Sequence, residues 1–139
     1  MVQLIVGEKG KGKTKHLLDK VNTEIKSVSG NIVYLDKSAK HMYELNNKVR
    51  LIDVSDYFIE NFSEFLGFVC GIISQDHDLE QMYFDSFLPI SKCEKGDFDA
   101  CLKKLEKVGE KFGIDFVVSV SLNESDLSDY AKSKILISL

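Results

Sequence analysis

The sequence has too few cysteines, in the wrong spacing, for a redox centre or a zinc site. Cys70, Cys93 and Cys101 are odd in number, and no two of them form a closely spaced pair, whereas structural zinc ligands usually come in such pairs. Cys70 lies in an apolar run and Cys101 on the apolar face of a predicted helix. Both are therefore expected to be small core residues.

The sequence also lacks a recognisable leader and a membrane span. Residues Met1–Glu8 have no basic region, and their apolar stretch is too short for a signal peptide. The longest near-continuous apolar run, Phe65–Ile73, is about half of what a helix needs to cross a bilayer. The cytoplasm is therefore the expected location.

An excess of positive charge is missing as well, because the formal net charge is −4. Proteins that bind nucleic acids constitutively usually present a basic face, so there is no strong nucleic-acid signal. The one concentrated positive spot consists of Lys9, Lys11, Lys13 and Lys15. The length of 139 residues suits a single domain.

Segments with the apolar spacing of strands alternate along the chain with segments that have the spacing of helices. This alternation predicts an α/β fold with a mainly parallel sheet of five or six strands. The predicted strands are Val2–Val6, Ile32–Leu35, Val49–Ile52, Leu79–Phe84, Ile114–Val120 and Ile135–Ser138. The predicted helices are Lys13–Val28, Lys40–Asn46, Phe62–Ile73 and Phe98–Phe112, the last with Asp97 as its N-cap, and a turn or short helix is expected at Ser125–Ala131. A loop is expected around Pro89. With no repeat and no linker, residues 1–139 are predicted to form one domain.

Two glycines, Gly67 and Gly71, are four residues apart in the predicted Phe62–Ile73 helix and so share one face. We expect them to let this helix approach the sheet closely. Contact with a partner helix is the alternative.

The segment Gly7-Glu8-Lys9-Gly10-Lys11-Gly12-Lys13-Thr14 matches the Walker A phosphate-binding pattern at every fixed position. It lies between a predicted strand and a predicted helix, the context that this motif requires. Glycines let successive backbone N–H groups turn toward phosphate oxygens, and the helix amino end adds partial positive charge. Lys13 is expected to reach the β- and γ-phosphates of ATP, and the Thr14 hydroxyl to ligate Mg²⁺.

The predicted nucleotide-binding set extends one residue beyond the motif. It comprises Gly7, Glu8, Lys9, Gly10, Lys11, Gly12, Lys13, Thr14 and Lys15. Lys9, Lys11 and Lys15 lie outside the fixed positions, so they are expected to raise the local positive potential more than to contact specific atoms.

With these residues the chain resembles the P-loop NTPase superfamily over nearly its whole length, and within it the RecA-like branch. The segment Met82-Tyr83-Phe84-Asp85-Ser86 is similar to Walker B, which implies that Asp85 holds Mg²⁺ directly or through water; the alternative is a loop cap. The segment Phe116–Ser121 is similar to the sensor strand, which implies that Ser121 or Ser119 lies near the γ-phosphate; the alternative is a turn residue. The layout also resembles small clostridial ATP-binding proteins sometimes labelled twitching-motility ATPases.

The RecA-like resemblance has consequences for the fold. It implies a three-layer P-loop NTPase-like fold with helices on both faces of the sheet. It also implies that the Ile114–Val120 strand lies between the Val2–Val6 and Leu79–Phe84 strands.

The sequence departs from the RecA-like pattern at two catalytic positions. Asp36 stands where that branch carries a glutamate that polarises the attacking water. Asp36 either takes this role or caps a helix over Ser38–Asn46, and Glu8 is a weaker candidate. Arg50 is the only arginine, so an arginine finger would have to be Arg50 of a neighbouring copy; the alternative is a surface residue. The isolated histidines His16, His41 and His77 are expected at the surface or as caps.

Three functions are consistent with this pattern. The first is an ATPase that is slow alone and activated by assembly with itself or a protein partner. The second is a regulatory module that binds ATP with little hydrolysis, and the third is a small-molecule kinase. The missing glutamate and missing arginine finger favour binding over fast turnover. A partner is expected to dock on the loop Ser86–Gly96 or on the helix around Gly67.

Overall fold

The apolar segments form six strands and five helices in a computed structural model that describes all residues from 1 to 139. The strands are β1 (Val2–Val6), β2 (Asn31–Asp36), β3 (Arg50–Asp53), β4 (Leu79–Phe84), β5 (Asp115–Val120) and β6 (Ile135–Ser138). The helices are α1 (Lys13–Glu24), α2 (Phe62–Ser74), α3 (Phe87–Ser91), α4 (Phe98–Phe112) and α5 (Asp129–Lys132). Single 3₁₀ turns occur at Met42–Glu44, Val54–Tyr57, Lys95–Asp97 and Glu124–Asp126. None of the helices combines the length and apolarity needed to cross a membrane.

The strands form one sheet in the order β3-β2-β4-β5-β1-β6, and every neighbouring pair is parallel. Strand β5 lies between β1 and β4, pairing Val120 with Val6 and Val118 with Phe84. The predicted position of this strand is therefore confirmed, and the order is RecA-like. Because all strands are parallel, their carboxyl ends meet at one edge, where ligands bind in open α/β folds.

Helices cover both faces of the sheet, which explains why the central strands are almost continuously apolar. On one face, α1 packs Leu17, Leu18 and Val21 against strand residues that include Tyr34 and Tyr83. On the other face, α2, α3, α4 and α5 close a larger core. That core contains a group of aromatic rings from Phe65, Phe84, Phe87, Phe98 and Phe116. The predicted three-layer α/β fold is confirmed.

Several predicted boundaries differ from the structure. Helix α1 ends at Glu24, four residues before Val28, and the predicted Lys40–Asn46 helix is only the 3₁₀ turn at Met42–Glu44. The loop expected around Pro89 is instead α3, whose Phe87 and Ile90 are buried in the core. Pro89 is tolerated there because it lies in the first helical turn, where its missing N–H costs no hydrogen bond.

Two further expectations need adjustment. Asp97 occupies the N-cap position of α4, but its side chain makes no capping hydrogen bond. Of the two cysteines expected in the core, Cys101 is buried and Cys70 is only partly buried.

The expectation that Gly67 and Gly71 face the sheet is wrong. Both residues are exposed, and no atom lies within 4 Å of the position that a Cβ would take. The glycine that lets a helix approach the sheet is Gly109 of α4. A Cβ there would lie 2.7 Å from the carbonyl oxygen of Ile114 and 3.3 Å from the Phe116 ring.

Alanine substitutions at these glycines are expected to change stability in opposite directions. Gly109→Ala should lower the free energy of unfolding by about 1–3 kcal/mol, because the added methyl group overlaps backbone that cannot move freely. Gly67→Ala, the matched control in an exposed helix interior, should raise it by about 0.5–1 kcal/mol. Urea unfolding measures both values, and equal effects would contradict the assigned packing.

Candidate functional site

A polar cleft of about 410 Å³ lies at the carboxyl edge of the sheet, beside the loop that joins β1 to α1. No hydrophobic residue lines it. Its lining residues are Lys9, Gly10, Gly12, Lys13, Thr14, Lys37, Lys40, Asp85, Ser86, Ser119 and Ser121. The cleft therefore gathers side chains that follow four different strands.

The loop between β1 and α1 has a backbone that requires glycine. Gly10 and Gly12 have φ angles of 88° and 89°, in the left-handed region that other residues rarely adopt. No atom lies within 4 Å of the Cβ position at either glycine. Helix α1 begins directly after Gly12 without a side-chain cap, so the N–H groups of its first turn are available to an anion.

The first glycine of the loop is constrained by β6 instead. A Cβ on Gly7 would lie 3.0 Å from the Cβ of Leu139 and 3.1 Å from its carbonyl oxygen. The backbone N–H of Leu139 donates to the Val6 carbonyl oxygen at 2.9 Å. This close approach fixes the point where the chain leaves β1 and turns into the loop.

Lys13 directs its charge into the loop. The residue is only 8% exposed, and its Nζ donates to the backbone carbonyl oxygen of Glu8 at 2.9 Å. Burial lowers the pKa of Lys13, and the negative charge of nearby Asp85 acts in the opposite direction. The ammonium group is thus held inside the curve of the loop, at the wall of the cleft.

Asp85 joins three elements. It follows β4 and is 2% exposed, and its Oδ1 accepts hydrogen bonds from Thr14 Oγ1 and from Ser119 Oγ, both at 3.1 Å. Its Oδ2 accepts from the Tyr34 hydroxyl at 2.8 Å. All these partners are side chains from other elements, so Asp85 does not act as a cap of the loop that follows β4.

Tyr34 and Ser119 hold the Asp85 carboxylate in this orientation. Burial, followed by the charge of Asp85 and the hydrogen bond to it, raises the pKa of Tyr34, so its hydroxyl remains a neutral donor. Ser119 is itself fixed, since its Oγ accepts from the backbone N–H of Ser86 at 2.9 Å.

Asp36, the last residue of β2, is also 2% exposed. Its Oδ1 accepts from the backbone N–H of Lys37 at 2.7 Å, and its Oδ2 has no hydrogen-bond partner. Burial and the charge of Asp85 raise the pKa of Asp36. The capping interpretation is wrong, because the only helical turn in this segment begins after His41 and receives nothing from Asp36.

The structure separates the two serines of the predicted sensor strand. Ser119 contacts Asp85, whereas Ser121 is exposed at the rim of the cleft. Sequence reasoning named both but missed Tyr34. The available signal was that Tyr34 and Asp36 lie two residues apart on β2 and so share one face of the sheet.

The remaining predicted residues lie at the edge of the site or outside it. Lys9, Lys11 and Lys15 are exposed, and of these only Lys9 lines the cleft. The Glu8 carboxylate accepts from Asn123 Nδ2 at 3.1 Å. Arg50 begins β3 at the opposite edge of the sheet, where it contacts Asp76 at 3.5 Å. No arginine of this chain therefore reaches the cleft.

Comparisons with known proteins bear on the fold. No protein-family model matches this chain, and no curated protein matches it. Among solved structures the chain is similar to the flagellar accessory protein FlaH from Methanocaldococcus jannaschii, with a TM-score of 0.60 and 13% sequence identity. The similarity covers 95% of this chain and 65% of that chain, so it spans about two thirds of FlaH. At this identity the likeness supports the RecA-like fold alone, and the finer resemblance to small clostridial proteins stays a prediction.

Proposed function

We propose that this chain binds a nucleoside triphosphate, ATP, together with Mg²⁺ in the cleft, and hydrolyses it slowly. The observation that carries the proposal is the hydrogen bond between Thr14 and Asp85, residues 71 positions apart. Thr14 belongs to the Walker A pattern and Asp85 to the segment similar to Walker B. Two motifs recognised separately in the sequence thus meet at one point.

The loop fits a polyphosphate. Its left-handed glycines leave open space beside the backbone, and the uncapped start of α1 offers N–H groups with partial positive charge. Lys13 adds a full charge inside the loop, and Lys9, Lys37 and Lys40 line the same cleft. A ligand with several negative charges would be stabilised here by fixed dipoles and by lysine side chains together.

The residues next to Lys13 fit Mg²⁺. Thr14 Oγ1 and Asp85 Oδ1 are hard oxygen donors 3.1 Å apart, the ligand type that this ion prefers. When bound, Mg²⁺ would neutralise charge on the phosphate oxygens. Tyr34 and Ser119 keep one Asp85 oxygen directed at Thr14. In metal sites, groups that hydrogen-bond to a ligand commonly orient it in this way.

Slow hydrolysis is proposed because few side chains of this chain can act on the attacking water and the terminal phosphate. We assign Asp36 to orienting the attacking water through its unpartnered Oδ2, although Asp36 lies beside Asp85 and outside the lining of the cleft. Ser121 is assigned to contacting the terminal phosphate from the rim. Lys13 stabilises negative charge in the transition state. No arginine adds to that charge, because Arg50 lies at the other edge of the sheet.

The absence of arginine from the cleft also favours a second candidate, a regulatory module that binds ATP without significant hydrolysis. A partner would then respond to the bound nucleotide. The kinase alternative is not favoured, because it is associated with a sheet in which the P-loop strand pairs directly with the Walker B strand, and here β5 separates them.

Substitution of Asp85 tests the metal assignment. Asp85→Asn should weaken binding of a fluorescent ATP analogue about tenfold or more in Mg²⁺, a size typical when support of a metal site is lost. In excess chelator its affinity should stay near that of the parent. Asp97→Asn, an exposed aspartate without a side-chain capping bond, is the matched control, and a parallel titration with a GTP analogue measures base preference. Equal losses in Mg²⁺ and in chelator would show that Asp85 has only a structural role.

A further inference from the structure

A second cluster of ligating groups includes Asp85. One ligand atom each of Asp36, His41 and Asp85 lies within 4.8 Å of the other two. The register of β2 and β4 produces the carboxylate pair. Leu35 is the partner of Phe84, so the residues that follow them, Asp36 and Asp85, emerge side by side at the carboxyl edge.

An unpartnered oxygen points independently to a ligand. Asp36 is only 2% exposed, and its Oδ2 has no hydrogen-bond partner. Nearly all buried polar atoms in proteins are paired, and leaving a carboxylate oxygen unpaired beside another carboxylate is costly. A cation bound between the two carboxylates would satisfy this oxygen and remove their repulsion.

His41 supplies the donor that distinguishes this cluster from the proposed Mg²⁺ site. Its side chain is only 19% exposed, and its Nδ1 lies 3.5 Å from Oε1 of Glu44. While Nδ1 keeps this contact, Nε2 is the nitrogen that can bind a metal. Metal-bound histidines commonly direct their other nitrogen at a carboxylate. The Tyr34 hydroxyl supports Asp85 in the same way.

The donor set indicates the class of metal. Two carboxylates balance the charge of a divalent cation, and an imidazole favours Zn²⁺ and its transition-metal neighbours over Mg²⁺. Three protein ligands also leave a coordination position open. Access exists from both sides, since Asp85 lines the cleft and His41 lines the groove along α1. Lys37 and Lys40 lie nearby but are exposed, so solvent weakens their repulsion of a bound cation. The buried Lys13 ammonium interacts with Asp85 and opposes a cation from the cleft side.

We propose that Asp36, His41 and Asp85 bind one transition-metal dication of the Zn²⁺ class. The site shares Asp85 with the proposed Mg²⁺ site but requires no nucleotide. A bound ion would also engage the Asp36 oxygen that we assign to orienting water, so occupancy and hydrolysis would exclude each other.

The test uses Co²⁺, a spectroscopic substitute for Zn²⁺, with the full chain after removal of metals and nucleotides. Visible absorption should show one Co²⁺ bound per chain with bands of nitrogen and oxygen ligands, and without thiolate charge transfer from Cys70. Zn²⁺ should displace it, whereas a hundredfold excess of Mg²⁺ should not. Thiolate bands, or displacement by equimolar Mg²⁺, would overturn the proposal.

Variants then identify the ligands. His41→Ala and Asp36→Asn should each weaken Co²⁺ binding at least about tenfold, and His77→Ala, at an exposed histidine outside the cluster, should bind as the parent does. Thermal unfolding confirms that each variant is folded. Parent-like Co²⁺ affinity in folded His41→Ala would also overturn the proposal. Binding of an ATP analogue by the unaltered chain in Mg²⁺ alone is measured separately, so failure of the metal site is distinguishable from failure of the proposed function.

Discussion

Lys13→Ala should abolish triphosphate binding by this chain while leaving its fold intact. The Lys13 ammonium lies inside the β1–α1 loop, where its present partner is a single backbone carbonyl oxygen of Glu8. A triphosphate would give it charged oxygen partners, and each hydrogen bond to a charged group contributes about 1.5–3 kcal/mol. Loss of two such contacts predicts an affinity at least about a hundredfold lower.

The fold should survive this substitution because Lys13 contributes little to it. Its bond to Glu8 involves a charged donor and contributes about 1.5–3 kcal/mol, but the burial that lowers the pKa of Lys13 opposes the charged form and offsets part of this gain. Lys11→Ala, an exposed lysine of the same loop, is the matched control and should lower affinity by less than about tenfold. Titration with a fluorescent ATP analogue, alongside thermal unfolding, measures both. Parent-like affinity in Lys13→Ala would exclude the P-loop assignment.

The parts of the molecule that the sequence predicted well depend on local patterns. The sequence locates strand β4 and helix α4 to the residue, because polar or glycine residues bound both segments and α4 also has a clear helical apolar period. The residues of the Gly7–Thr14 loop are consecutive in the sequence, so a local pattern is enough to identify the loop. The place of β5 between β1 and β4 came from the RecA-like resemblance and not from any local pattern.

The parts that were missed depend on contacts between distant segments. Periodicity places Gly67 and Gly71 on one face of α2 but does not show whether that face is buried. In the structure Phe65 and Val69 are buried, so the opposite face packs inward and the glycines are exposed. Helix α3 forms around Pro89 because the core buries its apolar residues, which local propensity does not reveal.

The same limit applies to the site. The role of Tyr34 as a donor to Asp85 depends on β2 lying next to β4, and the tyrosine itself looks like any strand residue. The sequence allows two roles for Asp36, because it does not show whether the carboxylate faces the following turn or Asp85. A single histidine in a polar segment has no distinguishing pattern, so the sequence predicts His41 only at the surface or as a cap. Its nearness to two carboxylates exists only in three dimensions.

Intrinsic ATP hydrolysis by the dilute chain should be slow, at about 10⁻⁴ to 10⁻² per second, the range of P-loop enzymes that work without an arginine finger supplied in trans. Lys13 and Thr14 provide charge stabilisation, so the rate should exceed zero. Asp36→Asn should lower it further while sparing nucleotide binding, because that carboxylate is assigned to the water and not to the phosphates. Steady-state phosphate release, with Lys13→Ala as the blank for contaminating activity, measures these rates.

The dependence of this rate on protein concentration decides whether a second copy completes the site. Arg50 lies at the opposite edge of the sheet from its own cleft and is more than half exposed at its side chain (57%), so only a neighbouring copy can present it to the phosphates. If assembly does this, the rate per chain should rise steeply with concentration, by about 10³-fold or more. Arg50→Ala should remove the rise without changing the rate of the dilute chain. Lys48→Ala, an exposed cation two residues away, should leave the rise unchanged. A constant rate per chain would mean that activation, if any, comes from a different protein, and turnover above about one per second by dilute chain would contradict the assignment of an incomplete catalytic set.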